Sequence, residues 1–379
     1  MGNHARDGKF DRPSEYLYHP YEFFFCGLSN SGKTTLVSKV VEKLNKDYEI
    51  GCVKHCSHSF DFDREGKDSW QFSHAGAESV LLNAPGRWAV HNQGELDRYD
   101  KSTVMTDYDF VLAEGAKGQK GDKMIVLDKD FTAMEMLKND EITDAIALTG
   151  VEKPEETLGL PFFHRDDVDG ISNFVLNTLK SKIPPIKALL LTGGKSTRMN
   201  QDKALLEYHG SPQINYMYDL IQEYCSEVYI SCRNKEDYPG FEESAYLEDR
   251  LSGFGPLGGI ISAISTDAKS AWLVAAVDLP YVTGEVFEKL ISNRNPFKAA
   301  TAFRSNFKDF PEPLLTIYEP HSRHRIFKFL GLGYSCPRKI LINSSVEIIE
   351  QDNPKWLDNA NTPEEYEAIC ADLRNESDS

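Results

Sequence analysis

The segment from Gly27 to Thr35, GLSNSGKTT, constrains the fold more than any other part of the sequence. It matches the G-x-x-x-x-G-K-[ST] pattern of a phosphate-binding loop. A strand-forming aromatic run precedes it, and apolar residues at helical spacing follow it at Leu36, Val40 and Leu44. Strand, glycine-rich turn and helix in this order surround a phosphate with backbone N–H groups and a helix N-terminus. The pattern therefore predicts an α/β domain that binds phosphate groups.

Within this loop, the Lys33 ammonium is expected to reach the outer phosphates and the Thr34 hydroxyl to ligate Mg²⁺. Glu114 ends a hydrophobic strand, where such folds usually place an acidic residue near the metal or the water. A solvated glutamate at a strand end, with no such role, is the alternative. The predicted nucleotide-binding residues of this region are Gly27, Ser29, Asn30, Ser31, Gly32, Lys33, Thr34, Thr35 and Glu114.

Length and charge restrict the possible classes of protein. A chain of 379 residues exceeds what one core usually supports, so two domains are expected. The net charge of −17 argues against a nucleic-acid partner. No apolar run approaches the roughly 20 residues that span a membrane, and the polar N-terminal segment lacks the apolar stretch of a signal peptide. A cytoplasmic protein is expected, with residues 1–20 as a disordered lead-in.

The seven cysteines are scattered and include no C-x-x-C pair, which favours reduced thiols in the core over a disulfide framework. The segment CVKHCSHSF brings together Cys52, His55, Cys56 and His58, all of residue types that bind zinc. No second ligand pair follows at zinc-site spacing, so zinc is the less favoured interpretation.

Strand-forming runs alternate with polar helical stretches throughout the chain, which predicts parallel sheets covered by helices. In the first half these runs are YEFFFCG, YEIGCVKH, SVLLN, DFVLAEG, KMIVLD and AIALTG. A helix over about 169–179 and then Pro184 and Pro185 mark a boundary, because proline stops a helix and favours extended backbone. We expect an α/β fold with two domains: a P-loop NTPase-type parallel sheet over 21–181, a linker over 182–185 and a Rossmann-like domain over 186–379.

The second domain opens with its own glycine-rich loop, LLLTGGKSTRMNQDKALL. The glycines follow a buried strand, so the backbone can approach a nucleotide closely. Arg198 and Lys203 then bring two cationic groups toward a triphosphate. The lysine does not have Walker spacing, so this second loop is of another type.

The first half resembles the MobB family over about residues 21–180. The resemblance rests on GLSNSGKTTL, on the K-H, D-x-D, G-K-D-S and A-G-A elements of CVKHCSHSFDFDREGKDSWQFSHAGA, and on RWAV, LAEGAKG and DVDGISNFV. MobB proteins are P-loop GTP-binding proteins that assist formation of the guanine dinucleotide form of the molybdenum cofactor. The resemblance implies GTP binding here, and it implies that the histidine cluster lines a site rather than holding zinc.

The second half resembles the MobA family of nucleotidyltransferases over about residues 186–373. Its loop is similar to the family's L-x-G-G-x-S-x-R-M-G-x-D-K-x-L-L signature, and YLEDRLSGFGPLGGI, LVAAVDLP and DNANTPEEYE are similar to three later elements. The resemblance implies that Arg198, Lys203 and Asp278 are catalytic and that Asp278 binds the metal. It implies nucleotide contacts from Leu191, Thr192, Gly193, Gly194, Lys203, Ser231, Arg233, Asp249, Asp278 and Asn361.

Together the two resemblances imply a bifunctional molybdenum cofactor guanylyltransferase. GTP and molybdenum-molybdopterin would be its substrates, Mg²⁺ its metal, and the cofactor insertion machinery and recipient molybdoenzymes its partners. The N-terminal domain would bind GTP as an adaptor. A sugar-phosphate or CTP-dependent nucleotidyltransferase fused to a P-loop binding module is the alternative, and homodimer formation is left open.

Overall fold

The computed structural model describes residues 16–56, 63–94, 96, 98–193, 202–249, 251, 253–306 and 308–377. The chain divides into two compact units between Lys182 and Ile183, inside the predicted linker. Among the described residues, no helix combines the length and the apolar character needed to cross a membrane.

The first unit is built on a parallel sheet. Its strands are β1 (Glu22–Gly27), β2 (Ile50–Lys54), β3 (Ser79–Ala84), β4 (Arg87–Asn92), β5 (Phe110–Glu114), β6 (Lys123–Val126), β7 (Ala145–Gly150) and β8 (Phe162–His164). Its helices are α1 (Lys33–Leu44), α2 (Asp68–His74), α3 (Arg98–Met105), α4 (Thr132–Lys138) and α5 (Val168–Lys180). Six strands form the sheet in the order β2-β5-β1-β6-β7-β8, all parallel.

Strand β1 lies inside this sheet and is covered on both faces. Three consecutive aromatic residues, Phe23, Phe24 and Phe25, are fully buried. Successive side chains of a strand point to opposite faces, so an unbroken buried run requires packing on each side. Phe23 lies edge-on to Phe174 of α5, while Phe24 packs in a cluster that includes Met134 of α4.

The predicted strand SVLLN forms, but it lies outside the parallel sheet and corrects our expectation for that run. It is β3, which within the described part of the chain pairs with β4 alone, as an antiparallel two-stranded hairpin. A two-residue turn, Pro85-Gly86, joins the strands, and so short a connection can only produce antiparallel neighbours. RWAV, quoted above as a family element, supplies β4.

Two further expectations need adjustment. Tyr18 and His19, assigned to the lead-in from sequence, are buried in the first unit, where the Glu22 carboxylate accepts their backbone N–H groups at 2.7 and 3.2 Å.

All seven cysteines are free thiols, as expected, but only four of them are core residues. Cys52, Cys56 and Cys336 are exposed: Cys52 lies on β2, the edge strand of the sheet, Cys56 follows that strand, and Cys336 directly precedes α10.

The second unit has a mixed sheet. Its strands are β9 (Ile186–Leu191), β10 (Val228–Cys232), β11 (Tyr246–Glu248), β12 (Ala271–Ala276), β13 (Ala300–Arg304), β14 (Pro311–Tyr318) and β15 (Val346–Ile349). Its helices are α6 (Gln213–Gln222), α7 (Pro256–Thr266), α8 (Gly284–Ser292), α9 (Ser322–Gly331), α10 (Pro337–Ile342) and α11 (Pro363–Ser377). The order is β11-β10-β9-β12-β14-β13-β15, and β14 runs antiparallel to both neighbours.

Core clusters pack on both faces of this second sheet. One contains Leu190 and Leu273, and the other contains the adjacent residues Leu189 and Val274, as alternation along β9 and β12 requires. The two α/β units confirm the predicted fold class. In such sheets ligands bind at the carboxyl ends of the parallel strands. Strand β1 of the first unit ends at Gly27, and strand β9 of the second unit ends at Leu191.

Candidate functional site

The glycine-rich loop of the first unit has the geometry of a phosphate cradle. It connects β1 to α1, and two of its residues have left-handed backbone, Asn30 with φ 64° and Gly32 with φ 91°. Alternation of right- and left-handed residues turns successive N–H groups toward one centre. The positive φ of Gly32 would strain any other residue, and a Cβ atom there would also displace the guanidinium of Arg165.

Lys33 is held across the loop that precedes it. Its Nζ donates to the Leu28 carbonyl oxygen at 2.5 Å. Burial lowers the pKa of Lys33, and the carboxylate of Glu114 acts in the opposite direction. The ammonium group is therefore already placed at the mouth of the cradle.

Thr34 and Glu114 come together at the other side of the loop. The Thr34 hydroxyl donates to both carboxylate oxygens of Glu114, at 3.0 and 2.8 Å. Lys54, at the end of β2, lies 3.5 Å from the same hydroxyl and 3.9 Å from Glu114 Oε2. The hydroxyl and the carboxylate are oxygen donors of the kind that Mg²⁺ prefers.

A cavity of about 480 Å³ adjoins the loop at Ser29, Asn30 and Ser31. Its other walls are segments that the sequence reasoning missed: residues 127–131, residues 151–152 and Arg165. The guanidinium of Arg165 donates to the Ser31 carbonyl at 2.6 Å and so braces the cradle. Each of these segments directly follows β6, β7 or β8, and the carboxyl ends of parallel strands were the signal that could have identified them.

In the second unit, most of the predicted contact residues line one cavity of about 330 Å³. It lies at the carboxyl ends of β9, β10 and β12. The predicted residues on its wall are Leu191, Thr192, Gly193, Lys203, Ser231, Arg233, Asp249 and Asp278. Gly194 and Arg198, also predicted here, lie outside the described residues.

Lys203, Asp278 and Asn361 form a hydrogen-bonded group at this cavity. The Nζ atom of Lys203 lies 3.0 Å from Asp278 Oδ2 and 2.8 Å from Asn361 Oδ1. The side chains of Lys203 and Asp278 are largely but not fully buried, with 15% and 25% of their surface exposed. A cation and a carboxylate that both face the cavity can address phosphate oxygens and a metal ion.

Other polar contacts fix the position of Lys203. Lys203 begins a short 3₁₀ helix, and Asp202 caps that helix by accepting the Ala204 N–H at 3.0 Å. The hydroxyl of buried Tyr238 donates to the second oxygen of Asp202 at 2.7 Å. Tyr238 thus supports the lysine through Asp202, and sequence reasoning missed this contact because the two residues lie far apart in the chain.

The floor of the cavity is tightly packed. Thr192 donates to the Ser231 carbonyl at 2.8 Å, which ties the end of β9 to β10. A Cβ atom on Gly259 of α7 would lie 2.5 Å from Ser231 Oγ and 2.7 Å from the Leu191 side chain. Asp249 accepts the Leu251 N–H at 2.9 Å, while Arg233 is exposed at the rim.

A second ion pair, which was not predicted, lies close enough to Asp278 to feel its charge. Glu312 of β14 accepts from Arg338 of α10 at 3.2 Å. Glu312 is the second residue of β14, the antiparallel neighbour of β12, and Asp278 follows the end of β12. Burial raises the pKa of Glu312, Arg338 opposes that shift, and Asp278 adds to it. The sequence signal for this contact was an acidic residue, Glu312, at the start of a strand-forming run. That run forms the strand that pairs with the one preceding Asp278.

The cysteine and histidine cluster gives no metal site among the described residues, where no three or more His, Cys, Asp or Glu side chains converge. His58 lies outside that part of the chain. His55 and Cys56 instead line a cavity next to β2.

Comparison with known families accounts for both units. Residues 23–149 match the family described as molybdopterin guanine dinucleotide synthesis protein B, MobB. Residues 188–344 match the MobA-like NTP transferase domain. These matches confirm the two resemblances drawn from the sequence motifs.

Named relatives agree with these domain matches. A molybdenum cofactor biosynthesis bifunctional protein from Synechocystis is 37% identical over 187 residues, 49% of this chain and 54% of that protein. The alignment thus spans about half the length of that relative. A molybdenum cofactor guanylyltransferase from Pseudomonas aeruginosa is 31% identical over 48% of this chain and 94% of its own length.

Solved structures are similar to each half. Molybdopterin-guanine dinucleotide biosynthesis protein A from Archaeoglobus fulgidus covers 50% of this chain and 99% of its own, with 21% identity and a TM-score of 0.42. Bacillus subtilis MobB covers 41% of this chain and 96% of its own, with 29% identity and a TM-score of 0.36. By its domain matches and its sequence relatives, the chain belongs to the molybdenum cofactor guanylyltransferase family, with a MobB domain preceding its MobA-like NTP transferase domain.

Proposed function

We propose that the chain is a bifunctional molybdenum cofactor biosynthesis protein. Its MobA-like domain, residues 186–379, transfers GMP from GTP to molybdenum-molybdopterin and releases pyrophosphate. Its MobB domain, residues 21–181, binds a second GTP and assists as an adaptor. The single observation that carries the proposal is the group formed by Lys203, Asp278 and Asn361 at a cavity bounded by the second glycine-rich loop.

The reaction requires two anions to meet. A terminal phosphate oxygen of molybdopterin attacks the α-phosphorus of GTP and forms a new P–O bond. The P–O bond between the α-phosphorus and the bridging oxygen to the β-phosphate breaks, and its electron pair leaves with pyrophosphate. The attacking phosphate is already ionised, so neutralisation of charge and positioning supply the rate rather than proton transfer.

Lys203 is the described cation best placed for this role. Its ammonium faces the cavity and is held there by Asp278 and Asn361, so little side-chain freedom is lost when a triphosphate binds. Arg198 and Gly194, outside the described residues, are proposed to complete the phosphate contacts, as the family motif implies. Arg233 at the rim adds positive charge on the β10 side.

Asp278 fits a magnesium ion. Its carboxylate is partly exposed to the cavity and offers the hard oxygen donors that Mg²⁺ selects. When bound there, Mg²⁺ would stabilise the charge that develops on the triphosphate. Lys203 donates to this carboxylate, and Asn361 in turn accepts from Lys203.

In the first domain, the cradle of residues 27–35 is proposed to hold the phosphates of GTP. Lys33 contacts the outer phosphates, while Thr34 and Glu114 supply oxygen donors for a second Mg²⁺. The adjoining cavity of about 480 Å³ has room for the sugar and base. Product would pass to the machinery that inserts the cofactor into molybdoenzymes.

Acceptor identity tests this proposal. The purified chain is incubated with GTP, Mg²⁺ and either molybdenum-molybdopterin or a panel of sugar phosphates, and pyrophosphate release is followed with product analysis. We expect pyrophosphate and a guanine dinucleotide in equal amounts with molybdopterin alone. Turnover of a sugar phosphate with none of molybdopterin would refute it.

A further inference from the structure

A second cavity in the first domain lies apart from the walls of the nucleotide cavity described above. It measures about 550 Å³ and is bounded by the end of β2, the hairpin strand β4 and helix α3. Its polar lining includes Lys54, His55, Cys56, His91 and Lys101. Two members of the cysteine and histidine cluster, His55 and Cys56, therefore lie on this cavity and not on the two nucleotide cavities.

The lining is cationic. The ammonium groups of Lys54 and Lys101 contribute to it, and none of the described lining residues is a carboxylate, although Lys54 also pairs with Glu114 behind the wall at 3.9 Å. The chain as a whole has a net charge of −17, so a cavity of opposite character is a departure from its average surface. A positively lined concave site on an acidic protein favours an anionic ligand.

The cavity opens next to the phosphate end of the cradle. Lys54 belongs to its wall and also lies 3.5 Å from the Thr34 hydroxyl. The backbone N–H of His55 donates to the Glu114 carbonyl at 2.9 Å, which fixes the wall to the strand that carries Glu114. An anion in this cavity would therefore lie beside the outer phosphates of a nucleotide in the cradle.

The imidazole of His55 is held in place by its neighbours. The Tyr18 hydroxyl lies 2.5 Å from His55 Nε2, and a Cβ atom on Gly115 would lie only 2.9 Å from the Cβ of His55. Burial lowers the pKa of His55, and nearby Lys101 adds to that shift. The ring is thus a neutral hydrogen-bonding group, while the two lysines provide the charge.

The remaining wall is apolar. Four apolar residues face the same space: Val53, Leu96, Val104 and Met105. Of these, Val104 of α3 is 52% exposed. A ligand that matches both walls has an anionic group at the Lys54 end and a weakly polar body.

We propose that this cavity binds a phosphate monoester attached to a flat heterocycle, which for this chain is molybdopterin itself. The heterocycle and the identity of the ligand rest on the function proposed above, whereas the combination of an anionic group with a weakly polar body rests on the cavity alone. The MobB domain would then hold the acceptor substrate beside its bound GTP, in addition to the acceptor site of the transferase domain.

Binding stoichiometry tests the proposal on the whole chain. Molybdopterin is titrated in the presence of saturating GDP and Mg²⁺, which occupy the cradle. We expect two equivalents bound per chain. Lys101→Glu should weaken the MobB-domain site by about tenfold or more, because it reverses a charge in a partly desolvated wall. The exposed residue Lys46 provides the matched control, since Lys46→Glu makes the same charge change outside the cavity.

A second variant controls for loss of binding that misfolding could cause. Val104→Glu introduces a carboxylate from an exposed helix position and should also reduce binding to one equivalent, while GDP affinity and Tm remain unchanged. A single equivalent in the unaltered chain, or two equivalents retained in both variants, overturns the inference. The proposed function is judged separately, by whether the unaltered chain forms the dinucleotide from GTP.

Discussion

The Nζ atom of Lys203 lies 3.0 Å from the Oδ2 atom of Asp278, although 75 residues separate them in the chain. Lys203 follows the glycine-rich loop after β9, and Asp278 follows β12, the parallel neighbour of β9. The sheet therefore creates this ion pair by bringing two strand ends together. The same pair links the phosphate-binding loop to the residue proposed to hold the metal.

Replacement of Lys203 by alanine should lower kcat/KM for dinucleotide formation by at least about tenfold, or about 1.4 kcal/mol of transition-state stabilisation. The reason is loss of the cation nearest the triphosphate. Steady-state kinetics at subsaturating GTP provide the measurement. Lys289→Ala removes another lysine–aspartate pair, that with Asp352, and serves as the control. Equal kinetics for Lys203→Ala and the control would remove Lys203 from the site.

Asp278→Asn should abolish Mg²⁺-dependent turnover, because an amide replaces the carboxylate that the ion prefers. A magnesium titration of initial rate compares this variant with Asp352→Asn, which makes the same chemical change outside the cavity. A response like that of the unaltered chain would show that the metal ligand lies elsewhere.

Lys33→Ala should reduce the GTP bound per chain from two equivalents to one, since the two glycine-rich loops belong to separate units. Lys33 supplies the cation of the first cradle only. Equilibrium binding of labelled GTP measures the stoichiometry, and dinucleotide formation should continue. Loss of both equivalents would mean that the two sites depend on one another. Lys46→Ala is the matched control, because Lys46 is an exposed lysine of the same unit.

Arg165→Ala should weaken GTP binding to the first domain without changing binding to the second. Its guanidinium donates to the Ser31 carbonyl and packs against Gly32, so its removal frees the loop that must order around the phosphates. A loss of about 1 to 3 kcal/mol is expected for one charged hydrogen bond. Calorimetry of GTP binding decides the matter, with Arg87→Ala in the exposed hairpin as the reference. An affinity equal to that of the reference would show that Arg165 does not support the loop.

Sequence patterns predicted what local chemistry determines. The spacing of Leu36, Val40 and Leu44 identified α1, and all three are buried there. The G-x-x-x-x-G-K-T loop and Asp278, at the end of a strand-forming run, each lie on the wall of a cavity, and Glu114 contacts Thr34 of that loop. These features depend on residues close together in the chain.

Contacts between distant segments were not predictable in this way. Arg165 reaches a loop 134 residues away, and Tyr238 supports Lys203 through Asp202. The hairpin of β3 and β4 also escaped, because a strand-forming run does not state which partner it pairs with. Pro85-Gly86 followed by the strand-forming RWAV was the local signal for that hairpin.

The choice of nucleobase tests the central claim most directly. Gly193 has φ 81° and follows Leu191 and Thr192 at the end of β9, and no atom of the described residues, its chain neighbours aside, lies within 4 Å of the position its Cβ would occupy. Backbone groups there can read a guanine edge, and a wrong base would leave buried polar groups without partners, at about 1 to 3 kcal/mol each. The measurement is a competition between equal concentrations of GTP and CTP with molybdenum-molybdopterin and Mg²⁺, followed by identification of the dinucleotide. The account predicts a product dominated by the guanine dinucleotide, and a product dominated by the cytosine dinucleotide would contradict it.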